Sequence, residues 1–397
     1  MSVSSRSTAP PHRAGQDPAP TGTGRARRRF RIGPQGYLLA VFVLVAVVGS
    51  MTSPFFFTAR NLENIAVAAS VVAVLGVAQF IVVVTRGIDL SVGSVAALST
   101  VIAAVMLRQG QGVLVTVVVA LLACSLAGLI NGLLVVYARI APFVATLAML
   151  SIARGVAFLV QVGTLIVISN TTFLNLFGGR TGSVPNGVII AVIVTVVAAF
   201  VMKFTPLGRR LYALGGNPEA ARLSGLPVKR DQVMAYVTSG LLAGLAGLML
   251  AGRLSQGSSL VGQGYELDSI AATVVGGTSL FGGTGDPIST VLGALIIGMI
   301  GNIMNLAGIQ SEPQLVIRGL VILIAVFLTS GGGIQRIRDG VTKLRARGSG
   351  APSGDETLAA PALPAAENTP TSRRPDLQEG NTPHPPARRP DSTEGTH

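Results

Sequence analysis

The chain has 397 residues, of which 49% are apolar and only 12% charged, with a formal net charge of +13. So small a charged fraction among so many apolar residues excludes an ordinary soluble domain and places the chain in a bilayer. The cationic excess sits at the edges of apolar runs, with no aromatic-rich basic face beside it, which argues against nucleic acid as a partner.

In chain order, residues 1–34 form a basic leader too poor in apolar residues to bury a core, and they are expected to be a disordered tail. The first apolar run is long enough to span and reads as a retained helix, not a cleaved signal. Including that run, ten windows of about 20 mainly apolar residues recur along the chain, the length that crosses a hydrocarbon core of roughly 30 Å. They cover 37–53, 63–85, 90–107, 113–137, 141–163, 186–204, 232–253, 266–283, 287–307 and 314–330. The expected fold is therefore all-α: a polytopic helical membrane bundle, residues 35–340, with a polar loop at 205–231. Residues 341–397, rich in Pro and Arg, are a second expected disordered tail.

The third and eighth windows are the weak ones. Ser91, Gly93, Ser94 and Ser99 dilute the third, and Asp268, Gly276, Gly277, Thr278 and Ser279 interrupt the eighth. Both read as broken or re-entrant helices, which are tolerated at that depth only where protein or a water-filled cavity surrounds them. Their positions five spans apart suggest two halves inverted relative to one another.

Basic residues mark the cytoplasmic side of short loops. Arg25, Arg27, Arg28, Arg29 and Arg31 precede the first span, and Arg336, Arg338, Lys343, Arg345 and Arg347 follow the last. With ten spans both termini lie in the cytoplasm. The connection holding Lys203, Arg209, Arg210, Arg222, Lys229 and Arg230 falls on the same side, whereas 163–186, on the outer side, holds only Arg180.

Within that cytoplasmic connection, Asn217 is placed to cap a short helix with Pro218 at its first position and Glu219 near the positive end of its dipole. Ala220, Ala221, Arg222 and Leu223 continue it, and Gly225 with Pro227 ends it. The small alanines allow close docking on a soluble partner, Glu219 and Arg222 are suited to pairing across that interface, and Leu223 to filling a pocket. An ordinary capped surface helix is the plainer reading of the same residues.

Several polar residues fall inside apolar windows. Asp89, at the start of the third span, reads either as a cap for the amides of Ser91 and Val92 or as a group in a substrate path. Arg154 lies near the middle of the fifth span, where a charge costs roughly 2.5–3.5 kcal/mol on insertion scales. It must be pinned by helix carbonyls or by an acid such as Asp268 or Glu266, or else project into a hydrated path. Asn131, Asn302 and Asn305 offer both donors and acceptors, which suits a neutral polyol and equally suits hydrogen bonding between helices. Gly128 with Gly132, and Gly240 with Gly244, are four apart, the spacing that lets helix backbones approach closely.

Nothing in the sequence supplies catalysis. The histidines, His12, His384 and His397, lie in the tails, Cys124 is the single cysteine, and the glycines between Gly276 and Gly285 lack the lysine of a phosphate-binding loop. The chain is not expected to be an enzyme.

The run Glu219-Ala220-Ala221, three residues, then Gly225 resembles the signature loop of ABC importer membrane subunits. Further stretches narrow the resemblance to the simple-sugar, ribose-type permease family: Gly87-Ile88-Asp89-Leu90-Ser91, Gly128-Leu129-Ile130-Asn131-Gly132, Ser151-Ile152-Ala153-Arg154-Gly155, Leu214-Gly215-Gly216-Asn217-Pro218, Tyr265-Glu266-Leu267-Asp268 and Gly276-Gly277-Thr278. It covers roughly residues 37–335, in the family's order. One departure is Arg86, which stands where the family carries glycine. The resemblance implies a bacterial plasma-membrane permease that moves a monosaccharide such as ribose. It implies as partners a cytoplasmic ABC ATPase, an extracytoplasmic sugar-binding protein and a second permease chain, identical or paralogous. On this reading Gly216, Asn217, Glu219, Ala220, Ala221, Arg222, Leu223 and Gly225 contact the ATPase. Asp89, Ser91, Asn131, Arg154, Asp268, Asn302 and Asn305 are candidates for the path. No cofactor or metal is expected on this chain, since ATP and Mg belong to the partner ATPase. Permeases for nucleosides or branched-chain amino acids share the architecture, and an ion-coupled secondary transporter is the alternative from another class.

Overall fold

The structure, a computed structural model, describes residues 34–161 and 165–329; both expected tails lie outside them except for Pro34, as do Arg336 and the cations that follow it. Among the described residues the helices are α1 (Pro34–Thr52), α2 (Ala59–Val84), α3 (Val92–Arg108), α4 (Val113–Val136), α5 (Pro142–Gln161), α6 (Thr171–Phe177), α7 (Asn186–Phe204), α8 (Pro206–Gly216), α9 (Pro218–Leu223), α10 (Val228–Leu254), α11 (Tyr265–Val275), α12 (Pro287–Leu306) and α13 (Ser311–Thr329). Six of them, α2, α4, α5, α7, α10 and α12, are long and apolar enough to cross a membrane, and α1 and α3 add shorter apolar helices. The protein is a polytopic helical bundle.

The bundle is built around α2. Its apolar window is 89% buried, against 22% for α7 and 28% for α4 and α5. The outward faces of those peripheral helices carry Leu122, Leu126, Val192, Val196 and Phe158, all exposed. So continuous an apolar surface suits lipid or another membrane chain.

The helices run alternately between two ends. At one end the carbonyl of Val84, at the close of α2, accepts from the amide of Gly283 at 2.9 Å, and Arg86 donates to the carbonyl of Gly215 in α8 at 2.6 Å. At the other end Asn61, in the first turn of α2, exchanges two hydrogen bonds with Asn302, near the close of α12, at 3.0 and 2.8 Å. There too Ile166–Val167 pairs antiparallel with Gln256–Gly257.

Backbones meet closely where the paired glycines lie. A side chain on Gly128 or Gly240 would strike backbone of the facing helix, α10 or α4 respectively, and one on Gly244 would strike Cys124. The two small-residue pairs noted in the sequence thus face each other, and α4 with α10 forms the largest helix contact.

The two weak spans depart from plain helices in a related way. The eighth does not run over 266–283: α11 covers only Tyr265–Val275, about 16 Å of rise, half of what a crossing needs. Four glycines at positive φ, Gly277, Gly282, Gly283 and Gly285, instead turn the chain at the α8–α9 end, and Asp286 caps α12 by accepting from the amide of Ser289 at 2.8 Å. The other half of this crossing is the irregular stretch 256–264, which descends beside α3, with Ser258 against Thr100 and Gly262 against Gly93. The third crossing mirrors it. Residues 85–91 enter from the α8–α9 end without helix, and α3 completes the passage. In chain order both crossings are irregular first and helical second although they run in opposite directions, which is the relation an inverted pair requires. The eighth passage is thus displaced toward the amino terminus.

Two elements were not foreseen: α8, read as loop, and α6 within the 163–186 connection. Both are short and capped by side chains, Thr205 accepting from Gly208 and Asn170 from Phe173.

Replacing Gly240 by Leu should separate α4 from α10 and lower the melting temperature of the detergent-purified chain, at a cost of about 3 kcal/mol or more. The same change at Gly155, which has open space around it, should leave the melt within about 0.5 kcal/mol of wild type.

Candidate functional site

Two regions gather the residues singled out in the sequence. The first is the connection at the α8–α9 end. Asn217 closes α8 and opens α9, its side chain accepting from the amide of Ala220 at 3.0 Å. Gly225 adopts φ +76°, where a side chain would be strained, and the amide of Leu226 returns to the carbonyl of Ala221. The stub forms as its capping residues dictate. Ala221 is buried beneath it, while Leu223 is 74% exposed with no apolar cover.

Glu219 and Arg222 are both exposed and bond each other, at 2.6 and 3.2 Å, so the cross-interface pairing expected of them is not what the isolated chain displays. The spacing i, i+3 on one helix face brings them together before any partner arrives. Arg222 holds the Glu219 carboxyl below its usual range. The pairing is therefore complete above the ordinary carboxylate range and is lost only as pH falls through that depressed value.

The stub is fixed to the bundle through α8. Arg210 makes a two-pronged contact with Asp231 at the start of α10, at 2.7 and 3.2 Å, and Asp231 is nearly buried. Tyr212 donates to the carbonyl of Gly285 at 2.8 Å, and burial raises its hydroxyl to about 12, so it stays a donor at neutral pH. Arg86 donates through Nε to Gly215 at 2.6 Å and through Nη2 to Gly216 at 2.7 Å, closing the carbonyl end of α8. Its φ of +65° explains why glycine suits this position. Gly215 lies directly against Val84 and Gly283, so α2, α8 and the turn before α12 meet at one point.

The second region is polar and lies inside the bundle. Asp89 is buried and accepts from the amide and hydroxyl of Ser91, at 2.9 and 2.6 Å, and from Ser239 at 2.8 Å. It does not reach the amide of Val92. Asn131 donates to Ser91 at 2.9 Å. These three path candidates form a buried network among α3, α4 and α10 that holds the irregular residues 85–91, with the Oδ1 of Asn131 left without a partner.

Arg154 donates to the carbonyl of Ser259 at 3.2 Å, and Gln161 accepts from the amide of the same residue at 2.7 Å. Pairing of Arg154 with Asp268 is overturned, because Asp268 pairs with Arg318 of α13 at 3.0 Å. Arg154 instead satisfies the unwound backbone of 256–264, whose carbonyls have no helix to accept from.

Asp268, Asn302 and Asn305 do come together. With Asn61, Arg253 and Arg318 they line a cavity of ≈ 460 Å³ between α2 and α10–α13, at the end opposite α9. Asn305 accepts from Gln314 at 3.0 Å. Arg253 and Arg318 were missed in the sequence, although each is a cation in or at the edge of an apolar window, the same signal that singled out Arg154. Asn61 and Asn64, at the mouth of the second window, carried no such signal.

A multi-pass helical membrane protein with a clamped, capped helix at one end and a polar cavity at the other defines a transport-type architecture. Comparison with known proteins places it further: residues 61–326 match the family described as branched-chain amino acid transport system / permease component, and the chain belongs to that family. The chain is 42% identical over 315 residues to the ribose import permease protein RbsC of Escherichia coli K12, covering 78% of this chain and 98% of that protein. Identity to RbsC of Bacillus subtilis is 40%, over 75% of this chain and 92% of the relative. The D-allose transport system permease protein AlsC of Escherichia coli K12 is 36% identical, over 74% and 90% respectively. No solved structure matches the chain.

Arg86→Gly should leave the backbone in place, since glycine accepts φ +65°, while removing both bonds to α8. Hydrogen exchange should then rise at residues 215–217 and 282–284, with a melting temperature within a few degrees of wild type. Arg86→Val, β-branched at a left-handed position, should cost about 1–3 kcal/mol.

Proposed function

We propose that this chain is the membrane-spanning permease subunit of a bacterial ABC importer that takes up a monosaccharide, ribose or a related simple sugar. The observation that carries the reading is the identity to permeases named for ribose and allose, which extends over nearly their whole length. On this reading the α8–α9 end faces the cytoplasm, in keeping with its basic residues and with the positive-inside rule, and both termini lie there. A partner ATPase, holding ATP and Mg, docks on α9 and grips exposed Leu223 and the Glu219–Arg222 pair. An extracytoplasmic binding protein delivers sugar at the opposite end, and a second permease chain, identical or paralogous, completes the assembly.

The clamp gives the coupling a physical route. A push on α9 reaches α10 through Arg210–Asp231, the turn before α12 through Tyr212, and α2 through Arg86. An ion-coupled mechanism is disfavoured by the pairing of Asp268, its one serious relay candidate, with Arg318.

Proteoliposomes holding this chain with its ATPase and binding protein should accumulate labelled ribose, allose or arabinose only with ATP inside the ATPase compartment. Uptake driven by a proton or sodium gradient in the chain alone would overturn the reading. Glu219→Arg, which sets two cations side by side, and Gly225→Trp, which strains a positive φ, should each cut uptake about a hundredfold and weaken co-purification of the ATPase. Membrane insertion should be unchanged, as measured by protease protection.

A further inference from the structure

The cavity between α2 and α10–α13 has a composition unlike the other large cavity of the bundle. That one, of similar size at ≈ 490 Å³ between α7 and α10, is lined mainly by aliphatic side chains such as Ile193, Val197 and Leu241, with Arg210, Arg230 and Asp231 at one side, and suits a lipid chain. The polar cavity, at ≈ 460 Å³, falls within the range of about 300–1,000 Å³ typical of small-molecule sites.

Its polar groups are only partly used. Asp268 bonds Arg318 through Oδ2 alone, leaving Oδ1 for another donor, and Arg318 makes that bond through Nη1 alone, leaving the rest of its fork. Asn64 and Arg253 make no side-chain hydrogen bond among the described residues. Asn302 gives one amide hydrogen and its oxygen to Asn61 and keeps further capacity. Carboxylate, guanidinium and amide edges facing one space are what adjacent hydroxyls need, because each hydroxyl both donates and accepts. A carboxylate oxygen accepting from one hydroxyl of a vicinal diol while a guanidinium donates to its neighbour satisfies both at once.

We infer that this cavity is a sugar-binding station within each permease chain, in which Asp268 and Arg318 together hold a vicinal diol and Asn302 and Asn305 contact the remaining hydroxyls. The inference rests on the sugar-importer reading and goes beyond it by placing the ligand inside one chain, not only on an axis between two. All the groups come from a single chain, so the station is complete without a partner. Asp268 sits on the first turn of α11, at the junction of its irregular and helical halves, and α11 leads straight to the turn held by Tyr212. Ligand and coupling helix thus bear on the two ends of one short element.

Cys124 is fully buried, so the native chain is an unreactive background for introduced thiols. In the reconstituted complex with ATPase and binding protein, Gly301→Cys, at a lining position with open space that the proposed contacts do not use, should transport, and a bulky aryl thiosulfonate should then cut its sugar uptake about tenfold or more. The transported sugar, delivered by its binding protein, should slow that modification. Leu241→Cys, in the aliphatic cavity, should be modified without loss of uptake. Arg318→Lys, which keeps the charge but loses the fork, should lower sugar moved per ATP about fivefold with an unchanged melt. Full uptake by completely modified Gly301→Cys, together with wild-type stoichiometry in Arg318→Lys, overturns this proposal alone. Absence of uptake by the unmodified complex for every sugar tried overturns the importer reading and the station with it.

Discussion

Two stretches of backbone pass through the interior of this bundle without being helical, and their amides and carbonyls must be satisfied by protein. In a bilayer an unpaired peptide group costs several kcal/mol, so irregular chain at depth survives only inside a polar lining. That constraint accounts for a connected group of the buried polar residues. Asp89, Ser91, Asn131 and Ser239 hold residues 85–91, while Thr100, Arg154 and Gln161 hold residues 256–264. The polar cavity is what remains once those obligations are met. Its Asp268–Arg318 pair is not required by either irregular stretch.

The same constraint explains what the sequence displayed and what it concealed. Long apolar windows at 186–204 and 287–307 became α7 and α12 almost unchanged, because apolar length alone decides a plain crossing. The capped stub at Asn217 was equally legible, since Asn, Pro and Gly fix backbone conformation locally. The eighth passage was misplaced because its first half is Ser- and Gly-rich chain with no helical period, and the adjoining glycines 276–285 were counted in its stead. Arg154 was recognised as anomalous, but its partner is a main-chain carbonyl, which no side-chain pattern reveals. The grouping of Asp268 with Arg318 joins residues fifty apart on two helices, a relation set wholly by packing.

The α8–α9 end and the polar cavity lie at opposite ends of the molecule yet share elements. α12 starts beside the glycine turn that Tyr212 holds and finishes at Asn302 and Asn305. α2 starts at Asn61 and finishes at Val84, against Gly215 and Gly283. α2 is also the most buried of the long helices, so it has little room to bend and moves as a rod. On the importer reading, these close-packed elements are the route by which a displacement at one end would reach the other. No chain of adjusting side chains is needed.

The half-length of α11 has a consequence for how the protein is made. An eleven-residue helix carrying Glu266 and Asp268 is too short and too polar to leave the insertion machinery for lipid by itself, and α13 brings Arg318 into an apolar window. Each becomes acceptable to the bilayer only beside the other and against α2 and α12. The stretch from α11 to α13 must accordingly enter the membrane as a group, after the earlier helices have assembled a wall for it. Truncation anywhere between α11 and α13 would strand an unneutralised charge during synthesis.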